Sequence, residues 1–194
     1  MDAVQMKEIL NPFPKYSAIP GQQQSDSSIT SSTTLPAESN ADLQVIRKNL
    51  KAIEQRDVEI EKGDTFLAKG DVDTAIACYT AAIRLDPKSI DAFYKRGTSL
   101  SLKGNIDGEM ADYAYILQLD ATNTATFNRR GMAFANMNAF DRAIANYSEA
   151  IRINPNFAEA YNNRALAYAN QGQIEKSIVD LTQAIKVDSQ STNT

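Results

Sequence analysis

An all-α solenoid of short helix-turn-helix units is the fold class the sequence predicts, and three observations predict it. The first is helical rather than strand spacing of apolar residues. Ala143, Ile144, Tyr147, Ala150 and Ile151 share one face, and Asn154-Pro155 closes the run. The second is a period of 34 residues. Phe127, Gly131, Phe134, Ala143, Tyr147 and Ala150 return one period later as Tyr161, Ala165, Tyr168, Ser177, Leu181 and Ala184. One period earlier stand Phe93, Gly97, Leu100, Glu109, Tyr113 and Ile116, and before them Glu59, Gly63, Phe66, Ala75, Tyr79 and Ala82. The third is turn chemistry at fixed places in the period. Lys69-Gly70-Asp71, Lys103-Gly104-Asn105 and Gln171-Gly172-Gln173 put glycine where a helix ends and a polar residue where the next can be capped.

Taken in order, residues 1–40 contain a short apolar cluster and then almost only Gln, Ser, Thr, Asp and Asn. Such a stretch cannot bury enough apolar surface to offset ordering, so a disordered tail is expected there. There is no basic start followed by a continuous apolar core, so no secretory signal is expected. Residues 41–55 follow a plausible N-cap, Asn40, and carry Leu43, Ile46, Leu50 and Ile53 at spacings of 3, 4 and 3. Two readings are open: a capping or extension helix lying on the array, or a short coiled-coil seam for self-association.

Four repeats then cover 56–89, 90–123, 124–157 and 158–191, with a short disordered tail expected over 190–194. Gly63, Gly97, Gly131 and Ala165 leave room for a partner helix, Ala75, Ala82, Ala143 and Ala150 do so from the other side, and aromatics fill the remainder. One unit cannot bury its own apolar face, so neighbours must stack. Ser89, Asn123 and Asn156 precede the following units as candidate caps. Repeat two departs from the pattern: Gly108 lies inside its second helix, Glu109 takes the small-residue slot and Ile116 replaces Ala. A carboxylate in a packed seam must swing out or find a partner. The open alternatives are locally looser packing, or a bend that makes a contact surface of Met110, Tyr113 and Tyr115. Cys78 reads as a small filler. The last helix, Ile174 to Val187, has no successor, so outer Val179 and Val187 lack the cover of their counterparts, which favours a partner or self-association through the terminal helices.

Composition narrows the chemistry. The net charge of −4 gives no reason to expect nucleic acid, which demands a basic face. No apolar run approaches the ~18 residues that span a bilayer. A single cysteine suits a reducing compartment, the cytoplasm. The chain has no histidine, which removes Ser-His and Cys-His nucleophilic pairs and every His-ligated metal site. A non-enzymatic protein with no cofactor and no metal is expected.

The large, small, aromatic, Ala, aromatic, Ala and Pro series quoted above resembles the tetratricopeptide repeat (TPR) family. The resemblance implies a right-handed superhelical array of about four repeats whose concave groove, lined by the first helix of each, binds proteins or peptides. By the same resemblance the groove is acidic in repeat one (Asp57, Glu61, Asp64), holds Tyr94 and Lys95 in repeat two and Asn128 and Arg129 in repeat three, and is rich in asparagine in repeat four, with Asn162 and Asn163. Family co-chaperones clamp the C-terminal carboxylate of heat-shock chaperones with Lys and Asn, then Asn, then Lys and Arg at set positions. Here those positions hold Ile60, Asp64, Lys95, Ala125 and Arg129, of which only Arg129 matches, and Asp64 would repel a carboxylate. A register one repeat later matches nowhere. The expected ligand is instead an extended peptide with an acidic residue: Lys95 and Arg129 supply charge, Tyr94 an aromatic anchor, and Asn128, Asn162 and Asn163 main-chain pairing. Arg96, Arg130 and Arg164, which share one position of their repeats, read as structural. The alternative function is a structural subunit docked in a larger assembly through the convex face or the terminal helices.

Overall fold

The computed structural model describes residues 40–191, and every regular element among them is a helix. In chain order these are α1 (Asn40–Ala68), α2 (Val72–Leu85), α3 (Ile90–Leu102), α4 (Ile106–Leu119), α5 (Thr124–Asn136), α6 (Phe140–Ile153), α7 (Ala158–Asn170) and α8 (Ile174–Ser191). They pack as the pairs α1/α2, α3/α4, α5/α6 and α7/α8, and the second helix of each pair also packs on the first helix of the next. This is the helical solenoid that the period predicts.

The boundaries need adjustment. Apart from Asn40, which is helical, the tail expected over residues 1–40 lies outside the described residues. Residues 41–55 form no separate cap but the first half of α1, which at 29 residues is about twice the length of the other first helices. At the other end α8 continues through Ser191, so Gln190 and Ser191 are helical, and residues 192–194 lie outside the described residues.

Local chemistry sets the helix ends. Asp71, Ser89, Asn105 and Asn123 accept hydrogen bonds from the backbone N–H of Thr74, Ala92, Gly108 and Thr126 at 3.0–3.3 Å. Asn156 is not a cap. Phe157 holds that place, and Asn156 instead donates its backbone N–H to the Asn154 side chain at 3.0 Å. Between the helices of a pair the chain must turn with positive φ. Gly70, Gly104 and Gly172 do so at 80°, 72° and 74°, and Asn138 does it at 58° in repeat three. Gly108 produces no bend, because it sits in the first turn of α4 beneath its Asn105 cap and the helix runs unbroken.

The seam within each pair is a coupled choice. A Cβ on Gly63, Gly97 or Gly131 would lie 2.4, 2.9 or 2.5 Å from a ring carbon of Tyr79, Tyr113 or Tyr147. Each tyrosine fills the space its glycine vacates and is almost wholly buried. In repeat four these two places hold Ala165 and the smaller Leu181, which is 42% exposed where the described residues supply no further helix to cover it. Volume is thus conserved across the seam rather than at either position. The buried Tyr113 also ends the expected contact surface in repeat two; Tyr115 packs on Phe93 at 4.5 Å and donates to the Pro87 carbonyl at 3.1 Å.

The shared arginines have the structural role expected of them. Arg96 holds Asp112 through two bonds of 2.9 and 2.7 Å and Arg164 holds Asp180 through two of 2.7 Å. Each also reaches a hydroxyl on the preceding repeat, Thr80 at 3.3 Å and Ser148 at 2.9 Å. Among the described residues Arg130 hydrogen-bonds only the Asn146 amide, at 2.7 Å, and burial without a carboxylate pushes its guanidinium pKa down. Burial likewise pushes the Cys78 thiol up, which suits its reading as filler rather than nucleophile.

Burial pushes the Tyr113 and Tyr147 phenols up to about 12, from an ordinary value near 10. A raised folded-state pKa means that the unfolded chain loses the proton first. The stabilisation is therefore complete below pH about 10 and is lost as pH rises toward 12. We expect alkaline unfolding in that window, with tyrosinate absorbance and loss of helical circular dichroism appearing together. Tyrosinate absorbance from these rings while the helices stayed intact would contradict their placement.

Candidate functional site

The first helices α1, α3, α5 and α7 present one side chain after another to a common face, and those side chains bond across repeats. The register is regular: partners are separated by 31 or 35 residues, three short of one period or one beyond it. At the N-terminal end Lys95 Nζ lies 2.9 Å from both carboxylate oxygens of Asp64, which also accepts from the Tyr79 hydroxyl at 2.8 Å. In the middle Arg129 Nε donates to the Tyr94 hydroxyl at 3.0 Å, with its guanidinium 6.0 Å from the centre of that ring. The Tyr94 ring leans on Tyr113 at 6.1 Å. Towards the C-terminus Asn128 donates to Glu159 at 3.0 Å and accepts from Asn163 at 3.0 Å.

Five of the six residues singled out from the sequence are therefore brought together, but their states differ. Lys95 is neutralised by Asp64, the residue that looked like an isolated repulsive charge. Asn128 is 2% exposed, with both ends of its amide engaged, so it braces α5 against α7 rather than facing solvent. Arg129 remains the uncommitted cation: neither Nη group has a hydrogen bond within the described residues, and the Tyr94 contact raises its pKa further. Asn163 is half-buried, with a second amide hydrogen still to donate. Asn162 stands apart. Its counterpart Asn128 is covered by the helix of the following repeat, whereas among the described residues no helix follows α8 and the Asn162 amide has no partner.

One groove residue was not recognised as such from the sequence. Glu109, on α4 in the slot that holds Ala75, Ala143 or Ser177 elsewhere, does not swing out but is 4% exposed. Burial pushes its carboxyl pKa up, against the opposing pull of the Ser101 hydroxyl, the Arg129 charge and the Tyr113 hydroxyl. It forms an acidic floor behind the Arg129 subsite. The signal was its size and charge at a position reserved for small residues. Beyond Arg129 the face opens into a depression of about 310 Å³. Met132, Ala135 and Leu166 give it apolar walls, and Asn136, Asn163 and Asn170 a rim of amides. No group of Asp, Glu or Cys that could hold a metal ion occurs among the described residues.

Comparison with known proteins agrees with this architecture. Residues 63–104 and 131–172 match a family model described as TPR repeat, and residues 158–191 one described as tetratricopeptide repeat. Among solved structures, MamA is similar over 79% of this chain and 90% of its own, with 21% identity and a TM-score of 0.66. PilF of Pseudomonas aeruginosa is similar over 72% of this chain and 64% of its own, at 18% identity and a TM-score of 0.65. The first TPR domain of Spaghetti (RPAP3), bound to the HSP90 peptide SRMEEVD, covers 62% of this chain and 95% of its own, at 23% identity and a TM-score of 0.58. At these identities the likeness is one of fold. No curated protein sequence matches the chain.

Proposed function

The chain belongs to the tetratricopeptide repeat family, and on that premise we propose that it is a non-enzymatic interaction module that takes an extended peptide in its concave groove. The observation that carries the proposal is Arg129. Among the described residues its Nη groups make no hydrogen bond, while its Nε is fixed by Tyr94, so the guanidinium is preorganised for a carboxylate. An acidic side chain of the peptide pairs there, an apolar one enters the depression beside Met132 and Leu166, and Asn162 and Asn163 bond its main chain. Lys95 and Asn128 hold the surface in shape, Lys95 through Asp64 and Asn128 through Glu159. Docking in a larger assembly is a second reading, favoured by the uncovered apolar side chains at the C-terminal end, among them Val179 at 67% exposure.

The test selects peptides from a displayed random library on the full chain and measures their affinity by fluorescence anisotropy. We expect acidic sequences with one large apolar residue. Arg129→Glu should weaken binding at least tenfold, and added salt should weaken the parent interaction but not the asparagine contribution. Asn162→Ala/Asn163→Ala should cost about 0.5–1.5 kcal/mol for each bond lost. Selected peptides that bind both folded variants as they bind the parent would place recognition elsewhere.

A further inference from the structure

The two ends of the array are unequal. In inner repeats the second helix turns three positions toward the next first helix: Ile76, Tyr79 and Ile83 on α2, and Ile144, Tyr147 and Ile151 on α6. All six are buried or half-buried beneath that neighbour. The same positions on α8 are Ile178, Leu181 and Ile185, at 58%, 42% and 70% exposure, and Ile174 extends the stripe at 51%. Spacings of 4, 3 and 4 make this one apolar seam. Among the described residues, the array ends on a surface shaped for one more helix. Val187, expected to share that exposure, instead turns inward and is 7% exposed.

At the opposite end the first half of α1 is thinly covered by the described residues. Residues 40–48 of α1 run beyond α2, while Asn49, Ala52 and Ile53 flank Leu85 and Asp86 at its end, and the stripe is largely exposed: Leu43 is 38% exposed, Leu50 41% and Ile53 42%, with Ile46 half-buried. At 1.5 Å per residue the stretch 40–55, counting the part beside the end of α2, spans about 24 Å, against about 20 Å for a 13-residue inner first helix. Its length and its 3, 4, 3 spacing therefore fit the vacant place on α8. Charge does not oppose the contact: the overhang has three basic and two acidic side chains, and α8, with Asp180 committed to Arg164, two of each. The overhang is continuous with the first repeat, three repeats away from α8, so it cannot fold back onto its own chain. The body of α1 is a poorer candidate. Where inner first helices press Ala92 and Ser99, or Ala160 and Ala167, onto the preceding repeat, α1 offers the exposed Val58, Lys62 and Thr65.

We propose that the α1 overhang of one molecule occupies the open α8 face of another, so that copies of this chain associate head to tail. The contact is heterologous: each open complex keeps one free helix at one end and one free face at the other, and assembly propagates until a ring closes or the protein becomes limiting. It goes beyond peptide binding in the groove and leaves the Arg129 subsite open.

Complementation between two defective variants tests it. Leu43→Asp/Leu50→Asp spoils only the overhang, and Ile178→Asp/Ile185→Asp spoils only the α8 face. All four side chains are exposed, so thermal unfolding should confirm that both variants fold. Sedimentation velocity across a concentration series should show the wild-type full chain growing beyond a monomer and each variant remaining monomeric. An equimolar mixture of the variants should double the mass and stop, because it contains one intact pair of surfaces per two chains. An overhang variant that self-associates alone would mean face-to-face pairing of α8, and an α8 variant that does so would mean a coiled coil of overhangs; either overturns the proposal. So does a wild type that is monomeric throughout, including one released from that state by deletion of residues 1–39.

Discussion

Gly131→Leu should unfold the centre of the array. A Cβ at this position already lies 2.5 Å from the Tyr147 ring, and the ring is enclosed on its other sides at 2% exposure. Neither wall can yield, because α5 and α6 are each packed against a second neighbour. Overpacking of this kind costs about 1–3 kcal/mol for added methylenes in an ordinary core. A leucine adds four carbons at the closest helix approach, so the upper end or more is expected. Gly131→Ala sharpens the test. Alanine is the better helix former by about 1 kcal/mol, so an open site would be stabilised, whereas a closed one is destabilised. Repeat four supplies the rescue: Gly131→Ala/Tyr147→Leu copies its Ala165 and Leu181 and should recover most of the loss. Urea unfolding measures all three, and parent-like stability of Gly131→Leu would show that the seam is not where the structure puts it.

That seam was legible because steric repetition is written directly into residue size. Glycine at one offset and tyrosine at another, repeated three times, admit one packing solution, and the Ala165–Leu181 exchange follows the same rule. The groove was less legible. Its positions could be counted, but its state depends on pairings 31 and 35 residues apart that periodicity does not reveal. Asp64 and Lys95 looked like opposed features of two repeats and are one ion pair; Asn128 looked like a ligand and is a brace. Glu109 broke the pattern visibly, yet size alone could not say whether it would leave the seam or stay. The structure keeps it inside because Ser101, Tyr113 and Arg129 surround it. Val187 and Asn156 were misplaced for a simpler reason. A displacement of one residue turns a helical side chain by about 100° and moves a cap out of reach.

Removing Asp180 should destabilise the C-terminal repeat more than any surface charge change. Its carboxylate is 5% exposed and receives both bonds from Arg164, whose guanidinium lies over Tyr161 at 5.7 Å and reaches Ser148 on the preceding repeat. In Asp180→Ala the arginine keeps its charge and its partly buried site but loses the paired carboxylate. Breaking one side of a buried pair costs about 3–5 kcal/mol, and the 18% exposure of Arg164 lets water recover part of that, so the lower end is expected. Asn146→Ala at the equivalent place in repeat three supplies the control. There Arg130 has only an amide, and the loss should be nearer the ~1.5–3 kcal/mol of one charge-assisted bond. Arg152→Ala, at an exposed pair with Glu149, should leave stability close to that of the parent. Because neighbouring repeats share interfaces, the Asp180→Ala loss should appear in hydrogen exchange first across α7 and α8, with α3 and α4 protected longest. Equal costs for Asp180→Ala and Arg152→Ala would mean that the arginine ladder does not join the repeats.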